Sequence, residues 1–505
     1  MNNGKICIPI CAKTADEMME QIRRAEPLAD VIEARFDCVS PNEIEKTVEM
    51  LKEYRAKPLL ATFRSPEQGG HGCATLAERE VFWTAADNAF WASDLEEDII
   101  GSIDVTANRI ASLHDFSSVP DDPGAVFRRL AVANGDIVKL AVTAHDAVDA
   151  IPLWRLIDEA AAQGRDVIPV AMGEAGKWTR ILAPAHGAFL TYASLDASSG
   201  TADGQITAHD MLDLYRVKNL DRETRVYGII GDPVSQSMSP YIHNPSFVQA
   251  GINAVFLHLL VKDVGAFMTR MVRPETREID LNFGGFSVTM PHKQSVIKYL
   301  DEIDETATTI GAVNTVRIEE DKLYGFNTDA YGFVKPLRER YGDLSGARVA
   351  VLGAGGAARA CVYSLKQEGA DLNVFVRDPK KAGVLGEQFG VPVFQISNFG
   401  SQQVESCGSS GYDIVVDTTP IGMSGHPDER SLLTTEELFG VKFVYDLVTK
   451  SIDTPIIREA KKEGIPTLGG LEMLIAQATR QFEIWTGREA PADLMRKNVL
   501  SRISQ

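Results

Sequence analysis

The sequence predicts an α/β protein built in tandem parts: an N-terminal (β/α)8 TIM barrel, then a smaller α/β domain and a Rossmann domain. Three observations carry this prediction. Over residues 1–220, eight strand-like runs recur with helical patterns between most of them. VKNLDRETR, ending at residue 225, is polar and charged, as a domain junction is. RVAVLGAGGAARACVYSL, from Arg348 to Leu365, runs from a short apolar strand through glycines into helical spacing. A chain of 505 residues is also too long for one ordinary core.

The barrel strands are expected at KICIPI (5–10), DVIEARFD (30–37), PLLATFR (58–64), DIIGSIDV (98–105), RIASLHDF (109–116), DIVKLAVT (136–143), DVIPVAM (166–172) and FLTYAS (189–194). Strands four and five leave no room for a helix between them, an irregularity. Barrel strands are buried on both faces, so charges inside them stand out. Glu33, Arg35 and Asp37 alternate and share one face. Arg64 ends strand three, His114 lies near the end of strand five, and Lys139 sits among apolar neighbours. Barrel enzymes place their chemistry at C-terminal strand ends. A desolvated lysine near other cations loses its proton more readily and can form an imine. The competing reading is an interior Lys139–Glu33 ion pair.

Composition excludes several classes. Apolar residues make up 44% and charged residues 24%, as in globular proteins, with no apolar run long enough to span a membrane. The formal charge of −19 disfavours nucleic acid as a partner, and any anionic substrate then needs locally placed Arg and Lys. Six cysteines occur without C-x-x-C pairs, which predicts reduced thiols in a cytoplasmic protein and no zinc site. The start, MNNGKICIPI, has neither a signal peptide's apolar core nor a transit peptide's Arg/Ser-rich helix.

In the second part, VYGIIGDPVSQSMSP opens with a strand and loop, and Ser239 is expected to cap a helix starting near Pro240. VFLHLLV and FGGFSVTM read as strands. MPHKQSVIKYL reads as a helix with Lys293 in its first turn, where a cation opposes the dipole and so needs a partner. Asp329 begins a further helix. Lys293, Asp329, Asn314, Thr289, Ser237 and Ser239 together read as a polyol-binding site; taken singly, each has a bland reading as a cap or a solvated group.

Gly353, Gly355 and Ala358 fit G-x-G-x-x-A. The first permits the tight turn, the second a close approach to pyrophosphate, and the third close helix–strand packing. LNVFVR ends the next strand at Arg377, with Lys381 following, where an NAD site would want an acid. A guanidinium suits a 2′-phosphate, so NADP is expected, although Asp378 weakens the local field. The loop Gly353, Ala354, Gly355, Gly356, Ala357, with Arg377, Lys381 and Gly470, is the expected cofactor contact set.

Across 1–220, VIEARFD, TFRSPEQGG, SLHDF, DIVKLA, MGEAGKWTR and TADGQI occur in order. The segment resembles type I 3-dehydroquinate dehydratase. The resemblance implies a Schiff base between Lys139 and the C3 ketone of 3-dehydroquinate, with His114 as general acid/base. It implies that Arg180 binds the carboxylate, and that Glu33, Arg35, Arg64, Thr201 and Gln205 contact the rest of the substrate. Gln68 stands where the family commonly has Glu, and Thr201 where it often has Ser.

Over about 225–500, GDPVSQSMSP, FSVTMPHK, GAVNT, GFNTDAYG, GAGGAAR, TTPIGM and GGLEMLIAQA resemble shikimate dehydrogenase. The resemblance implies that Lys293 and Asp329 flank the carbon that is reduced by NADPH. Ser237 and Ser239 would hold the carboxylate, and Thr289, Asn314 and Gln477 the ring hydroxyls. Gln236, Ser287, Val376, Asp378 and Thr449 depart from the family's usual residues. The expected domains are 1–220, 225–335 and 336–470, with a helix at 471–500 returning to the second. The expected substrates are 3-dehydroquinate and 3-dehydroshikimate/shikimate, with no metal. The alternatives are quinate dehydrogenase activity in the second half, or a non-catalytic metabolite sensor.

Overall fold

The computed structural model describes all residues except 1–3, 87–88, 134, 201–203, 400–410, 424–429, 450–452 and 504–505. Contacts group the chain into two compact units. The first comprises Met1–Pro240 and Gly251–Phe283, the second Tyr241–Ala250 and Gly284–Gln505.

The first unit opens with eight parallel strands: β1 (Ile6–Ile10), β2 (Val31–Arg35), β3 (Leu59–Thr62), β4 (Ala92–Glu96), β5 (Asn108–Asp115), β6 (Ile137–Thr143), β7 (Asp166–Met172) and β8 (Thr191–Tyr192). From β1 to β7 each pairs with the next, and β8 pairs with β1. The Phe189 N–H donates to the Val167 carbonyl at 2.9 Å, linking the approach to β8 with β7 and curling the sheet into a barrel. Cys7, Val31, Leu60, Ala92, Ile110, Ile137 and Ile168, one from each of the first seven strands, share an apolar cluster.

One strand is not where the sequence put it. β4 is ASDLE at 92–96, and the apolar run DIIGSIDV forms turns instead. Asp94 and Glu96 disguise β4, because their buried charges are satisfied by groups distant in sequence, Arg64, Lys139 and Ser112 for Asp94 and Arg64, Arg79 and Ser65 for Glu96. The β4–β5 connection carries no helix, as expected.

The cysteines give a second correction. Cys11 and Cys38 form a disulfide, with Cα atoms 5.3 Å apart across 27 positions of sequence. β1 and β2 run parallel with Ile10 opposite Ala34, so the segments leaving them emerge side by side. Sequence spacing cannot show that adjacency. Cys407 lies outside the described residues.

β9 (Arg225–Gly231) and β10 (Ala254–Leu260) also belong to the first unit and pair in parallel. The Asp146 carboxylate, at the top of the barrel, accepts the N–H groups of Lys262 and Asp263 at 2.8 and 3.1 Å.

The second unit holds β11 (Phe283–Val288), β12 (Glu302–Ile303), β13 (Thr315–Glu319) and β14 (Lys322–Phe326), with β13 antiparallel to β11 and β14. The segment MPHKQSVIKYL is not a helix. It is a run of turns ending in a short 3-10 stretch, Ile297–Tyr299, so Lys293 does not oppose a helix dipole.

β15 (Arg348–Leu352), β16 (Asp371–Val376), β17 (Val393–Gln395), β18 (Ile414–Asp417), β19 (Phe443–Asp446) and β20 (Thr467–Gly469) follow. They form one parallel sheet in the order β17-β16-β15-β18-β19-β20. This doubly wound order reverses between β15 and β18, which opens a crevice for a dinucleotide. No helix of the described residues is long and apolar enough to cross a membrane.

Candidate active sites

One cavity opens at the C-terminal end of the barrel strands, lined by Glu33, Arg35, Arg64, Gln68, His114, Lys139, Arg180, Tyr192 and Gln205 among others. Every described barrel residue expected at the site from the sequence lines it; Thr201 lies outside the described residues. Lys139 Nζ donates to Asp94 Oδ2 at 2.8 Å and to Tyr192 Oη at 3.1 Å. The partner carboxylate of Lys139 is therefore Asp94, whereas Glu33 accepts the Thr62 hydroxyl at 2.6 Å.

Arg64 holds this arrangement together. It donates to Asp94 at 2.9 Å, Glu96 at 3.2 Å and the Ser112 hydroxyl at 2.9 Å. Arg35 forks onto Asp37 at 2.9 and 2.8 Å. Burial alone would raise the Asp94 carboxyl, but Arg64 and then Lys139 outweigh it and hold it well below the usual carboxylate range. The His114 N–H donates to Gln68 Oε1 at 2.9 Å, and ring Nδ1 lies 3.3 Å from the same oxygen. Burial, then the Arg64 and Lys139 charges, hold His114 well below the usual histidine range. Its imidazole is neutral at neutral pH and can accept a proton.

Arg180 differs from the other cations. It is 2% exposed, and its Nε and Nη2 are buried with no hydrogen-bond partner. Burial pushes its pKa down to about 10. Around the site, Glu33, Asp37, Asp94 and Glu96 face Arg35, Arg64, Arg79, Lys139 and Arg180, all buried. Arg35, Arg64, Arg79 and Lys139 each pair with a carboxylate, Arg79 with both Glu96 and the exposed Asp98, whereas Arg180 makes no ion pair among the described residues. A buried unpaired guanidinium is costly and marks a place for an anion.

The second constellation lies in the second unit. Lys293 Nζ donates to Asp329 Oδ2 at 2.6 Å, and Asn314 Nδ2 donates to the other Asp329 oxygen at 2.7 Å. Asp329 opens the helix Thr328–Tyr341, whose first N–H groups are accepted by the Asn327 side chain. Asn314 Oδ1 in turn accepts the Thr328 N–H at 2.8 Å and the Thr315 hydroxyl at 2.8 Å. Thr289 is half-buried just beyond β11. The Gln477 amide donates to the Leu474 carbonyl of its own helix, Gly470–Thr486, at 3.1 Å.

Gln481, one turn further on, was missed in the sequence. It is 2% exposed, accepts from Ser287 at 3.1 Å and donates to Thr315 at 3.0 Å, bracing the strand beneath Asn314. A second polar residue at helical spacing on an apolar face was the available signal. Ser237 and Ser239, in the first unit, have their hydroxyls 3.0 Å apart. The helix Ser239–Gln249 already includes Ser239, and it is Ser237 Oγ that accepts the Ser239 N–H, at 3.2 Å.

In the doubly wound sheet, Gly353 has φ +106, and a Cβ there would lie 2.5 Å from the Thr418 hydroxyl, so only glycine fits. Gly355 precedes the helix Gly356–Gln367, and a Cβ on Gly355 or Gly356 would meet nothing within 4 Å. Open space above free N–H groups is the cradle a pyrophosphate needs. Arg377 follows β16 directly and Lys381 lies on the helix Pro379–Phe389, both exposed, which fits a 2′-phosphate. Two acids missed in the sequence end β18 and β19, Asp417 opposite Asp446. Burial, then the Asp446 charge, pushes Asp417 up to about 7.

The model of type I 3-dehydroquinase matches residues 6–222, that of the shikimate dehydrogenase substrate binding domain 229–316, and that of the shikimate 5′-dehydrogenase C-terminal domain 470–500. The chain is 33% identical to the chloroplastic bifunctional 3-dehydroquinate dehydratase/shikimate dehydrogenase of Arabidopsis thaliana, over 98% of this chain and 84% of that protein. It is 40% identical to the NADP(+) shikimate dehydrogenase of Methanopyrus kandleri, over 56% of this chain and 98% of that protein. A crystal structure of a shikimate dehydrogenase in complex with NADP+ is 34% identical with a TM-score of 0.51, covering 57% of this chain and 98% of that one.

Proposed function

The chain belongs to the bifunctional 3-dehydroquinate dehydratase/shikimate dehydrogenase family, and from that premise we propose which of its residues carry two consecutive reactions. The barrel dehydrates 3-dehydroquinate to 3-dehydroshikimate, and the second half reduces that product to shikimate with NADPH. The proposed domains are 1–220, 225–335 and 336–470, with the segment 471–500 returning to the second; it is not one helix but two, Gly470–Thr486 and Ala492–Ile503.

The observation that carries the first reaction is Arg180, buried and unpartnered in the same cavity as Lys139 and His114. The substrate carboxylate supplies its missing anion. Lys139 attacks the C3 ketone and expels water as the imine forms. Its proton must leave first, and the neutral His114 accepts it. The protonated imine then stabilises the carbanion left when His114 removes a C2 proton. Return of a proton to the C1 hydroxyl releases it as water, and hydrolysis frees Lys139. Glu33, Arg35, Arg64, Thr201 and Gln205 hold the ring and its hydroxyls.

In the second reaction, NADPH supplies hydride to the carbonyl carbon. Lys293 places an N–H donor at the developing alkoxide, and Asp329 keeps that ammonium charged and aimed. Asn314 fixes the second Asp329 oxygen. Ser237 and Ser239 take the carboxylate, and Thr289 and Gln477 the hydroxyls. Gly353, Ala354, Gly355, Gly356, Ala357 and Gly470 line the pyrophosphate and nicotinamide path, and Arg377 and Lys381 bind the 2′-phosphate. Arg377 and the substrate residues together favour shikimate over quinate. Nucleic acid has no part, consistent with the charge of −19. The proposed compartment is the cytoplasm; the Arabidopsis relative is chloroplastic by name.

Borohydride with dehydroquinate should fix a covalent adduct on Lys139, and an unmodified enzyme would overturn the imine route. Dehydroquinate plus NADPH alone should yield shikimate; accumulation of dehydroshikimate would remove the second assignment.

A further inference from the structure

Cys11, Cys38 and His71 converge at the rim of the barrel from three separate stretches of sequence. Their sulfurs and an imidazole nitrogen all lie within 4.8 Å of one another. Cys11 follows β1, Cys38 ends the short turn after β2, and His71 lies on the loop after β3. The cysteines are half-buried and His71 is exposed, so a reductant and an ion can both reach them. Two thiolates and an imidazole form a donor set that suits a borderline-soft cation such as Zn²⁺. A disulfide offers no thiolate, so the oxidised pair cannot serve as that donor set.

We propose that the Cys11–Cys38 disulfide is the oxidised form of a redox-gated site for a zinc-class divalent cation, with His71 as the third ligand. A dithiol donor attacks the disulfide, passes through a mixed disulfide and closes its own S–S bond. Two electrons and two protons thereby reach Cys11 and Cys38. Each thiol releases its proton as the ion binds, and neutral His71 adds its nitrogen. Water fills the fourth position.

The site is joined to the substrate cavity through Asp37. That carboxylate forks onto Arg35 and also accepts the His71 N–H at 3.0 Å. A Cβ on Gly72 would lie 3.0 Å from the Asp37 carbonyl, so loop and turn pack without slack. An ion held between Cys38 and His71 acts on the carboxylate that positions Arg35. The consequence for dehydration rests on the proposed role of Arg35; the binding itself does not and is read without substrate.

The full chain, oxidised or reduced with a dithiol and moved to anaerobic buffer, is titrated with Zn²⁺ against a chromophoric chelator, and in parallel with Co²⁺. The reduced chain should bind one ion at least tenfold more tightly than the oxidised chain and show thiolate-to-cobalt charge transfer. Cys11→Ser and Cys38→Ser should each lose that band and that affinity. His71→Ala should weaken binding but keep the band, and Cys73→Ser should leave both unchanged. The far-UV circular dichroism and urea unfolding midpoint of the barrel in each variant report that it has folded. Equal binding by oxidised and reduced chain, or loss of binding in Cys73→Ser, would overturn the proposal.

Discussion

Asp94 and Asp417 are the same residue type, each 2% exposed near the C-terminal end of a parallel strand, and their carboxyls are driven in opposite directions. Burial raises both. Asp94 sits between Arg64 and Lys139 and stays ionised; Asp417 faces Asp446 and rises to about 7. The partners, not the depth, decide the charge state. The barrel is a lattice of paired ions with one buried cation, Arg180, left without a carboxylate, suited to an anionic substrate. The C-terminal ends of β18 and β19 gather two acids with no described cation between them, so Asp417 holds its proton more tightly than a free carboxyl does.

The largest break in the barrel lattice is Lys139→Ala. Dehydration should fall by roughly 10⁴-fold or more, the size expected when a covalent nucleophile is lost. Reduction of supplied dehydroshikimate should stay at its original rate. A comparable loss in both assays, with folding intact, would show that the two sites are not independent. The reciprocal variant, Lys293→Ala, should cut reduction by about 10²–10⁴-fold and leave dehydration alone.

Asp94→Asn tests the lattice through stability. It leaves Arg64 and Lys139 buried with one carboxylate fewer, which should cost about 3–5 kcal/mol in denaturant unfolding. A neutral outcome would mean that the pairs contribute no more than apolar packing does. Arg180→Met is the opposite case within the same cavity. Removing an unpartnered buried guanidinium should raise the stability of the ligand-free chain by about 1–3 kcal/mol. The same change should raise KM for dehydroquinate by on the order of 10²-fold. Destabilisation would show that Arg180 has a structural partner.

Much of this contrast was legible from spacing. Glu33 and Arg35 betrayed the inward face of β2, whereas Asp37, expected on the same face, lies in the turn that follows the strand; the glycine turn betrayed β15 and its helix. β4 was misread because its inward Asp94 and Glu96 look like a loop until Arg64 and Lys139 are brought across from other strands. Lys293 was placed on a helix because MPHKQSVIKYL has helical composition, yet its residues turn back toward Asp329 instead. The disulfide and its neighbour His71 were out of reach altogether. Their proximity follows from the parallel pairing of β1 with β2 and of β2 with β3, which no local pattern records. Charges that pair across strands are the part a linear reading loses.

The most discriminating prediction concerns Asp417→Asn. The asparagine oxygen can still accept the Thr419 N–H that Asp417 accepts at 2.9 Å. An acid whose folded pKa is raised binds its proton more tightly in the native state than in the unfolded one, where the value is about 3.9. Stability of the original chain therefore falls as pH climbs from about 4 towards 7, and the loss is complete above that. The variant has no such proton to lose. Its advantage should be near zero at pH 4, grow through the window and level off above pH 7 at up to about 4 kcal/mol, the full linkage of that shift, read from urea midpoints of the dehydrogenase half. An advantage that did not vary with pH would mean that Asp417 keeps an ordinary pKa. The β18–β19 edge would then be as well satisfied as the barrel.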